Sequence, residues 1–158
     1  MFKKVEFFLF LFLIGVFSAA LILAFAFFMF KGGNKLLPKS ELSISGKVLS
    51  VEVARSALDK TRGLSGRESL GSDGMLFLFD KEGNYGFWMK DMKFPIDMVW
   101  IRKGKVIGFS ENAVPESGKQ IWSLKVYYPP EAIDSVLEVN VGFVSTNKIK
   151  IGDEVSLK

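Results

Sequence analysis

Cysteine and histidine are both absent from the 158 residues of this chain. Their absence excludes a thiol nucleophile, a Ser-His-Asp triad and the usual zinc-ligand sets. It also excludes disulfides, which a chain of this length does not need because it can bury about two-thirds of its unfolded surface. A general acid or base would have to be Asp, Glu, Lys or Tyr, and a metal would have to be a hard cation with oxygen ligands.

The chain also has little net charge. Its 21 Lys and Arg residues nearly balance 17 Asp and Glu residues, which leaves a formal net charge of +4. The densest basic run, residues 102–105, falls at a predicted hairpin turn, where exposed charges are ordinary. We therefore expect no nucleic-acid partner, and the sequence offers no sign of a cofactor or a metal.

Charged residues are missing altogether from Phe7–Phe30, a run of 24 positions that follows Lys3 and Lys4. About 20 apolar residues suffice to cross a bilayer as a helix. The sequence therefore predicts an N-terminal transmembrane anchor over residues 1–30, in contact with lipid through residues 5–30. A cleaved signal peptide is the alternative, but its apolar core is usually only about 7–15 residues long.

The orientation of this anchor is predicted from its short N-terminal tail. Positive residues are nearly balanced on the two sides of the apolar run, so the positive-inside rule does not decide the direction. A very short tail followed by a globular domain is typical of a signal anchor. We expect a single-pass protein of the cell membrane with its domain outside the cytoplasm.

Residues 31–45 are predicted as a linker and residues 46–158 as one globular domain. Alternation of apolar and polar residues, or short apolar runs between turn signals, predicts strands. The predicted strands are Gly46–Val53, Met75–Phe79, Tyr85–Lys90, Ile96–Arg102, Val106–Ser110 and Ser135–Val139. We expect those between residues 75 and 110 to form an antiparallel meander.

Two segments are predicted as helical or are ambiguous. Arg55–Arg62 is expected to form one or two helical turns ended by Gly63, and residues 140–147 either prolong a strand or form a short helix capped by Asn140. The predicted fold class is mainly β (α+β). It is a small bent antiparallel sheet or partly closed β-barrel with one or two short helices.

Several ordered motifs resemble those of the domain of unknown function 192 family. They are Arg62–Leu64, Gly74–Phe79, Phe87–Lys90, Pro95–Asp97, Ala113–Pro115, Val136–Val139 with Gly142, and Ile151–Val155. The resemblance covers residues 47–157. It implies a small, predominantly β protein, often exported or tethered by an N-terminal segment, with a short helix after the Leu-Glu strand. It implies no particular reaction.

Asp97 is the sharpest candidate for a functional residue. On a strand it shares one face with Val99 and Ile101, so it is a carboxylate within a buried apolar row. It must find donors, and we expect Lys90, Arg62 or backbone N–H groups near Pro95. Asp97 is either a structural acceptor of such N–H groups or a functional acid, base or ligand acceptor.

Trp88 and Lys90 share one strand face and are predicted to point outward, where they would offer a platform for a sugar ring or a peptide. The loop from Asn112 to Pro130 carries Trp122 and Tyr127, which either bind a ligand or pin the loop to the domain. An equally good prediction is that this loop covers Trp88 and shields it from solvent.

The other charged motifs are predicted to be structural. Glu138 is expected to be an exposed strand residue. Arg62 is expected to lie near a helix C-terminus, where the helix dipole favours a cation, and it is also a candidate ligand-binding residue. Gly152-Asp153-Glu154 is predicted to form a turn.

These observations predict a membrane-tethered extracytoplasmic binding module for an envelope glycan, a peptide or a protein partner. Its candidate ligand-binding residues are Trp88, Lys90, Asp97, Arg62, Trp122 and Tyr127. The alternatives are a small cell-envelope enzyme that uses Asp97 as acid or base, and a structural subunit of a membrane complex.

Overall fold

The computed structural model describes residues 37–158 together with Leu21. Residues 37–158 have a mainly β fold, with a curled half-barrel sheet and a few short helices. In this described part of the chain no helix is long and apolar enough to cross a bilayer. The transmembrane anchor predicted over residues 1–30 lies outside the described residues.

The described residues form nine strands and three short helices. The strands are β1 (Lys39–Ile44), β2 (Lys47–Ala54), β3 (Gly74–Gly83), β4 (Phe87–Trp88), β5 (Ile96–Arg102), β6 (Lys105–Ala113), β7 (Val126–Tyr127), β8 (Ile133–Asn140) and β9 (Val155–Leu157). The helices are α1 (Ala57–Arg62), α2 (Phe143–Thr146) and a 3₁₀ turn at Ile121–Ser123.

Seven of these strands form one sheet in the order β6-β5-β8-β3-β2-β1-β9. All of its neighbours are antiparallel except β2 and β3, which run parallel and are connected through α1. A parallel pair needs such a crossover connection, whereas antiparallel neighbours can be joined by a tight turn. The remaining strands, β4 and β7, form a separate two-stranded sheet.

The curl of the sheet brings its two outer strands together. Lys105 at the start of β6 forms an isolated antiparallel bridge with Glu154, which directly precedes β9. The backbone N–H of Val106 donates to Asp153, and that of Val155 donates to Gly104. These bonds satisfy part of the edge that an open sheet would leave exposed.

The predicted antiparallel meander over residues 75–110 is wrong. β8 lies between β3 and β5, and β4 belongs to the other sheet, where it spans only Phe87–Trp88 rather than Tyr85–Lys90. Residues 74–77 of β3 and 96–101 of β5 are buried on both faces, so their backbone groups need a hydrogen-bonded partner on each edge. Period-2 patterning shows which residues of a strand share a face, but it does not show which other strand pairs with that strand.

The start of the domain also differs from the prediction. β1 pairs with β2 along Lys39–Ile44 and with β9, so these six residues belong to the sheet rather than to a linker over residues 31–45. The helix alternative for residues 140–147 is confirmed in Phe143–Thr146. That helix begins after Gly142, whose φ of +83° suits glycine, and not at Asn140.

The sheet separates two apolar clusters. The inner core lies on the face that all seven strands share inside the curl, and it includes Leu42, Val51, Leu76, Val99 and Leu137. The outer core lies on the opposite face beneath the connecting segments, and it includes Met75, Phe77, Met98, Trp100 and Val136. In the centre of the sheet, where residues 74–77 of β3, 96–101 of β5 and 135–139 of β8 are covered on both faces, a charged residue on either face is buried.

Candidate functional site

Asp97 lies on the inner face of β5 and is fully buried. Its Oδ1 atom accepts a hydrogen bond from the backbone N–H of Asn112 at 2.9 Å, and its Oδ2 atom accepts one from Val144 at 3.1 Å. Both oxygens are therefore engaged by the backbone, which favours the structural interpretation of Asp97. The expected partners Lys90 and Arg62 make no hydrogen bond to it in the described chain, because both line cavities on the outer side of the sheet.

The alternation predicted around Trp88 is present. Phe87 and Met89 pack in or against the outer core, whereas the Trp88 side chain is 48% exposed. Lys90 is also partly exposed and forms an ion pair with Asp91. Trp88 lines one cavity and Lys90 another, so these residues do not meet Asp97 around a single cleft.

The cavity beside Trp88 is a cleft of about 360 Å³, here called the aromatic cleft. Its walls and floor come from β3, the segment leading into β4, β4 itself and β8, and one rim comes from the C-terminal end of α1. The lining side chains that matter for binding are Arg62, Phe77, Phe79, Phe87, Trp88 and Glu138. Such a volume is near the small end of the range for ligand pockets, about 300–1,000 Å³.

Contacts between aromatic rings hold the walls of the cleft in place. The rings of Phe79 and Tyr85 are stacked with centroids 3.7 Å apart. The Phe87 ring makes edge-to-face contacts with Phe77 at 5.1 Å and with Trp100 at 5.7 Å. Such pairs are geometrically specific and each adds about 0.5–1.5 kcal/mol beyond area burial, so the cleft is preformed.

The end of α1 places cations at the rim of the cleft. Helix α1 begins at its N-cap Ser56, whose side chain accepts a hydrogen bond from the Asp59 N–H, and it ends at Gly63. The Lys60 ammonium donates to the Leu78 carbonyl at 3.0 Å and lies 5.0 Å from the Phe79 ring centroid. Arg62 follows in the last helical turn, as predicted, and also lines the cleft.

Gly63 allows this helix end to approach β3 closely. Its φ is +48°, in the region that glycine favours, and a Cβ atom at this position would lie 3.3 Å from the Phe77 ring. A larger residue at position 63 would therefore press on the cleft wall. The positive φ of Gly63 and its lack of a side chain thus allow the cationic rim to lie close to the aromatic wall.

Glu138 is a cleft-lining residue whose position the sequence prediction missed. It was expected to be exposed, but it is only 5% exposed and lies on the outer face of β8 between Met75 and Met98 of the neighbouring strands. Burial raises the pKa of its carboxyl group to about 8, although the positive charge of Arg67 opposes that shift. At neutral pH this carboxyl group at the floor of the cleft is predominantly protonated.

Glu52 is a second buried carboxylate on the outer face of the sheet, and its pKa is shifted in the opposite direction from that of Glu138. It forms a bidentate pair with Arg67, at 2.6 and 2.9 Å, and its Oε2 atom accepts the N–H of Leu37 at 2.8 Å. Burial acts to raise the pKa of Glu52, but the hydrogen bonds from Arg67 and Leu37 outweigh it and the pKa is lowered. Glu52 is thus internally satisfied, whereas Glu138 has no such pair.

A sequence signal for Glu138 does exist. Glu52, Asp97 and Glu138 each stand between apolar residues in a strand, as in Val51-Glu52-Val53 and Leu137-Glu138-Val139. All three are buried. A lone carboxylate within an apolar strand is therefore the pattern that marks them, but the pattern does not tell a satisfied carboxylate from one that faces a cleft.

Neither aromatic candidate of the long loop lines the aromatic cleft, although Tyr127 pairs with Phe87 of the cleft wall. Trp122, on the 3₁₀ turn, is 81% exposed and does not pin the loop to the domain. Tyr127 is half-buried against the outer core, with the Lys125 ammonium 4.3 Å from its ring centroid. Loop residues leave Trp88 about half exposed, although Val126 of β7 pairs with it.

Carboxylates do not gather into a cation site within residues 37–158, where no group of three or more is placed to hold a metal ion. The turn at Gly152-Asp153-Glu154 has the structural role that was predicted. The Asp153 carboxylate accepts hydrogen bonds from the Ser45 hydroxyl and from the Lys150 N–H.

A curled half-barrel with a preformed cleft on its outer face defines a small, mainly β domain. The chain belongs to the domain of unknown function 192 family, described as "Uncharacterized ACR", whose model matches residues 40–157. This confirms the family resemblance drawn from the sequence motifs. No curated protein matches the chain.

Solved structures of other proteins share this fold. A protein of unknown function from Novosphingobium aromaticivorans DSM 12444 has a TM-score of 0.69 and 28% identity, over 78% of this chain and 89% of the other. A suggested transcription regulator from Sinorhizobium meliloti 1021 has a TM-score of 0.69 and 30% identity, over 79% of this chain and 98% of the other. The match extends over nearly the whole of that second chain.

Proposed function

We propose that this protein is a membrane-tethered extracytoplasmic binding module that holds its ligand in the aromatic cleft. The observation that carries the proposal is the cleft itself, a preformed concave site with an exposed Trp88 at its edge and a buried carboxyl group at its floor. A concave, mostly apolar site with a few convergent polar groups is typical of small-ligand binding. The ligand is a small molecule or the protruding end of an envelope glycan or peptide.

Tethering to the membrane is supported by the sequence. Phe7–Phe30 has the length and composition of a transmembrane helix. If the domain lies outside the cytoplasm, protease added to intact cells should remove it. If the domain faces the cytoplasm, protease should reach it only after lysis. Recovery of the whole protein in the soluble fraction, with residues 1–30 still attached, would contradict the anchor.

The alternative functions have less support. An acid–base role for Asp97 is not favoured, because the side chain is fully buried and both of its oxygens accept backbone hydrogen bonds. Nucleic-acid binding, which the name of the S. meliloti relative would imply, is not favoured either. Surface cations such as Lys93, Arg102 and Lys119 form ion pairs with carboxylates instead of presenting a continuous basic surface.

A ligand screen with two tryptophan variants tests the proposal. The fragment 37–158 is made with a short N-terminal tag, so that Leu37 keeps the amide N–H that donates to Glu52. A ligand that binds only the folded state raises the melting temperature of this fragment. The screen includes glycan fragments, short peptides and small acids. Trp88→Ala should abolish the shift caused by a true ligand, while Trp122→Ala, which truncates an exposed tryptophan outside the cleft, should leave it unchanged.

Two outcomes would overturn the proposal. In the first, Trp122→Ala and not Trp88→Ala removes binding, which would place the ligand on the loop. In the second, every ligand found in the screen still binds the Trp88→Ala protein with unchanged affinity. In both cases the fragment must remain folded, which circular dichroism of each variant checks.

A further inference from the structure

The floor of the aromatic cleft contains a polar group that has no hydrogen-bond partner among residues 37–158. Glu138 is more than nine-tenths buried, and it lines the cleft. Its pKa is governed by burial and by the charge of Arg67, with no hydrogen bond contributing. No completely buried side-chain oxygen of the described residues lacks a partner, so the carboxyl oxygens of Glu138 must reach the space of the cleft.

The charged groups around Glu138 are predominantly positive. Arg67 faces it from the segment after α1 but is already committed to Glu52 of β2 and to the Leu70 carbonyl. Lys60 of α1 is committed to the Leu78 carbonyl. Arg62 lines the cleft and takes part in none of the ion pairs of the described chain. Tyr85 completes the titratable groups of the cleft, on its wall.

We infer that the cleft binds a ligand that contains both a ring and a carboxylate, with Glu138 donating a hydrogen bond to the carboxylate and Arg62 pairing with its charge. This inference rests on the proposed function and names the chemical class of its ligand. The body of the ligand packs against the rings of Phe87 and Trp88. The volume of about 360 Å³ accommodates one ring with its substituents.

The chemistry of the two partners selects this class. A protonated carboxyl group offers one O–H donor, and an O–H···O⁻ bond to a carboxylate is short and about twice as strong as a neutral one. A guanidinium is always charged and matches the geometry of a carboxylate. A cationic ligand would instead face Lys60, Arg62 and Arg67 together, which opposes its binding.

The inference requires a specific pH dependence. Ionisation of Glu138 would place two negative charges side by side in the cleft and remove the donor. Burial raises the pKa of Glu138 to about 8, so affinity should be constant between pH 6 and 7.5 and should fall about tenfold per pH unit well above pH 8. Arg62 keeps its charge throughout this range.

Calorimetric titration of the fragment 37–158 tests the inference with defined probes. The probes are benzoate, N-acetylmuramic acid and N-acetylphenylalanine, which represent a small acid, a sugar acid and a peptide end, together with the primary amide of each acid as its neutral analogue. At least one acid should bind at pH 6.5, and tenfold or more tightly than its amide. The acid that binds best identifies the source of the carboxylate.

Two variants separate the partners. Glu138→Gln keeps a donor and the side-chain shape but cannot ionise, so binding at pH 6.5 should be retained within about threefold and the loss above pH 8 should disappear. Arg62→Met should weaken binding of the acid tenfold or more while leaving binding of the amide of that acid unchanged. The inference is overturned if amide and acid bind equally well, or if Glu138→Gln keeps the steep loss above pH 8.

Failure of this inference is distinguishable from failure of the proposed function. If neutral glycans or peptides bind in a Trp88-dependent manner and the acids do not, the inference of a carboxylate ligand is wrong, and the proposal that the cleft binds a ligand is supported. If no probe, acidic or neutral, binds in a Trp88-dependent manner, both are wrong.

Discussion

The Oδ2 atom of Asp97 on β5 accepts a hydrogen bond from the backbone N–H of Val144 in α2, at 3.1 Å. The first N–H groups of a helix have no partner within it, and α2 has only four residues. A carboxylate 47 residues away in sequence therefore caps this helix. The relationship attaches α2 to the sheet and explains why a buried carboxylate is stable inside an apolar row.

Asp97→Asn should destabilise the domain. An amide side chain has one acceptor oxygen, so either Asn112 or Val144 would face an NH₂ group and lose its hydrogen bond. We expect the free energy of unfolding to fall by about 1–3 kcal/mol, measured by urea denaturation of the fragment 37–158. Asp91→Asn, at an exposed position with a φ of +54° that Asn tolerates, is the matched control. Unchanged stability with lost ligand binding would assign Asp97 to the site instead.

Glu138 should make the stability of the domain fall as pH rises. Burial raises its folded-state pKa to about 8 from the ordinary 4.5, so between these values the folded state holds a proton that the unfolded state has lost. The contribution of Glu138 to stability therefore declines from pH 4.5 to about 8 and is constant at higher pH. The total decline is about 1.4 kcal/mol for each unit by which the pKa is raised. Glu138→Gln should remove this decline in urea denaturation at pH 4.5, 6 and 8.

Glu52 should make the stability of the domain change with pH in the opposite direction from Glu138, in the same denaturation experiment. The pKa of Glu52 is lowered despite its burial, because Arg67 and the Leu37 N–H bind its ionised form. Its contribution is therefore present above pH 4.5 and is lost as pH falls through the lowered folded-state pKa. Glu52→Gln should destabilise the domain at pH 8, where Glu138→Gln stabilises it. Two variants that move stability in the same direction at pH 8 would contradict this assignment.

Arg67→Met should be one of the most damaging single changes. It leaves the buried charge of Glu52 without its bidentate partner, and removal of one member of a buried pair costs about 3–5 kcal/mol. Lys93→Met, which breaks the exposed pair with Glu68, should cost less than about 1 kcal/mol. The double variant Glu52→Gln/Arg67→Met should be more stable than Arg67→Met alone, and the reverse order of stability would refute the argument.

The three tryptophans should respond to truncation according to their burial. Trp122→Ala should change the free energy of unfolding by less than about 1 kcal/mol, because its side chain is 81% exposed. Trp88→Ala should cost about 1–2 kcal/mol, because about half of its side chain is buried. Trp100→Ala should cost about 3–5 kcal/mol, since Trp100 is fully buried in the outer core. Chemical denaturation measures all three. A collapse of Trp88→Ala would make Trp88 a core residue rather than a platform.

Local patterns in the sequence were sufficient to predict individual elements. The strand Ile96–Arg102, the helix ended by Gly63 and the turn at Lys103-Gly104 are present as expected. Each depends on neighbouring residues only: side-chain alternation, a glycine with positive φ, or a tight turn between apolar runs. The outward direction of Trp88 followed from the same alternation.

Pairing and burial needed the tertiary structure. The insertion of β8 between β3 and β5 joins residues that are distant in the chain, and no local pattern encodes that choice. Glu138 was expected on the surface because a glutamate in a strand usually faces water. It is buried because β8 became a central strand whose outer face is covered by the segments around α1 and β4.

The sequence by itself determined the class of the protein, since local periodicity indicates a mainly β domain and several ordered motifs resemble those of the domain of unknown function 192 family. It also predicted an apolar N-terminal run long enough to anchor the domain. Only the tertiary structure decided which carboxylates are satisfied. Strand order places Asp97 against two backbone amides and Glu52 against Arg67, and it leaves Glu138 facing the aromatic cleft.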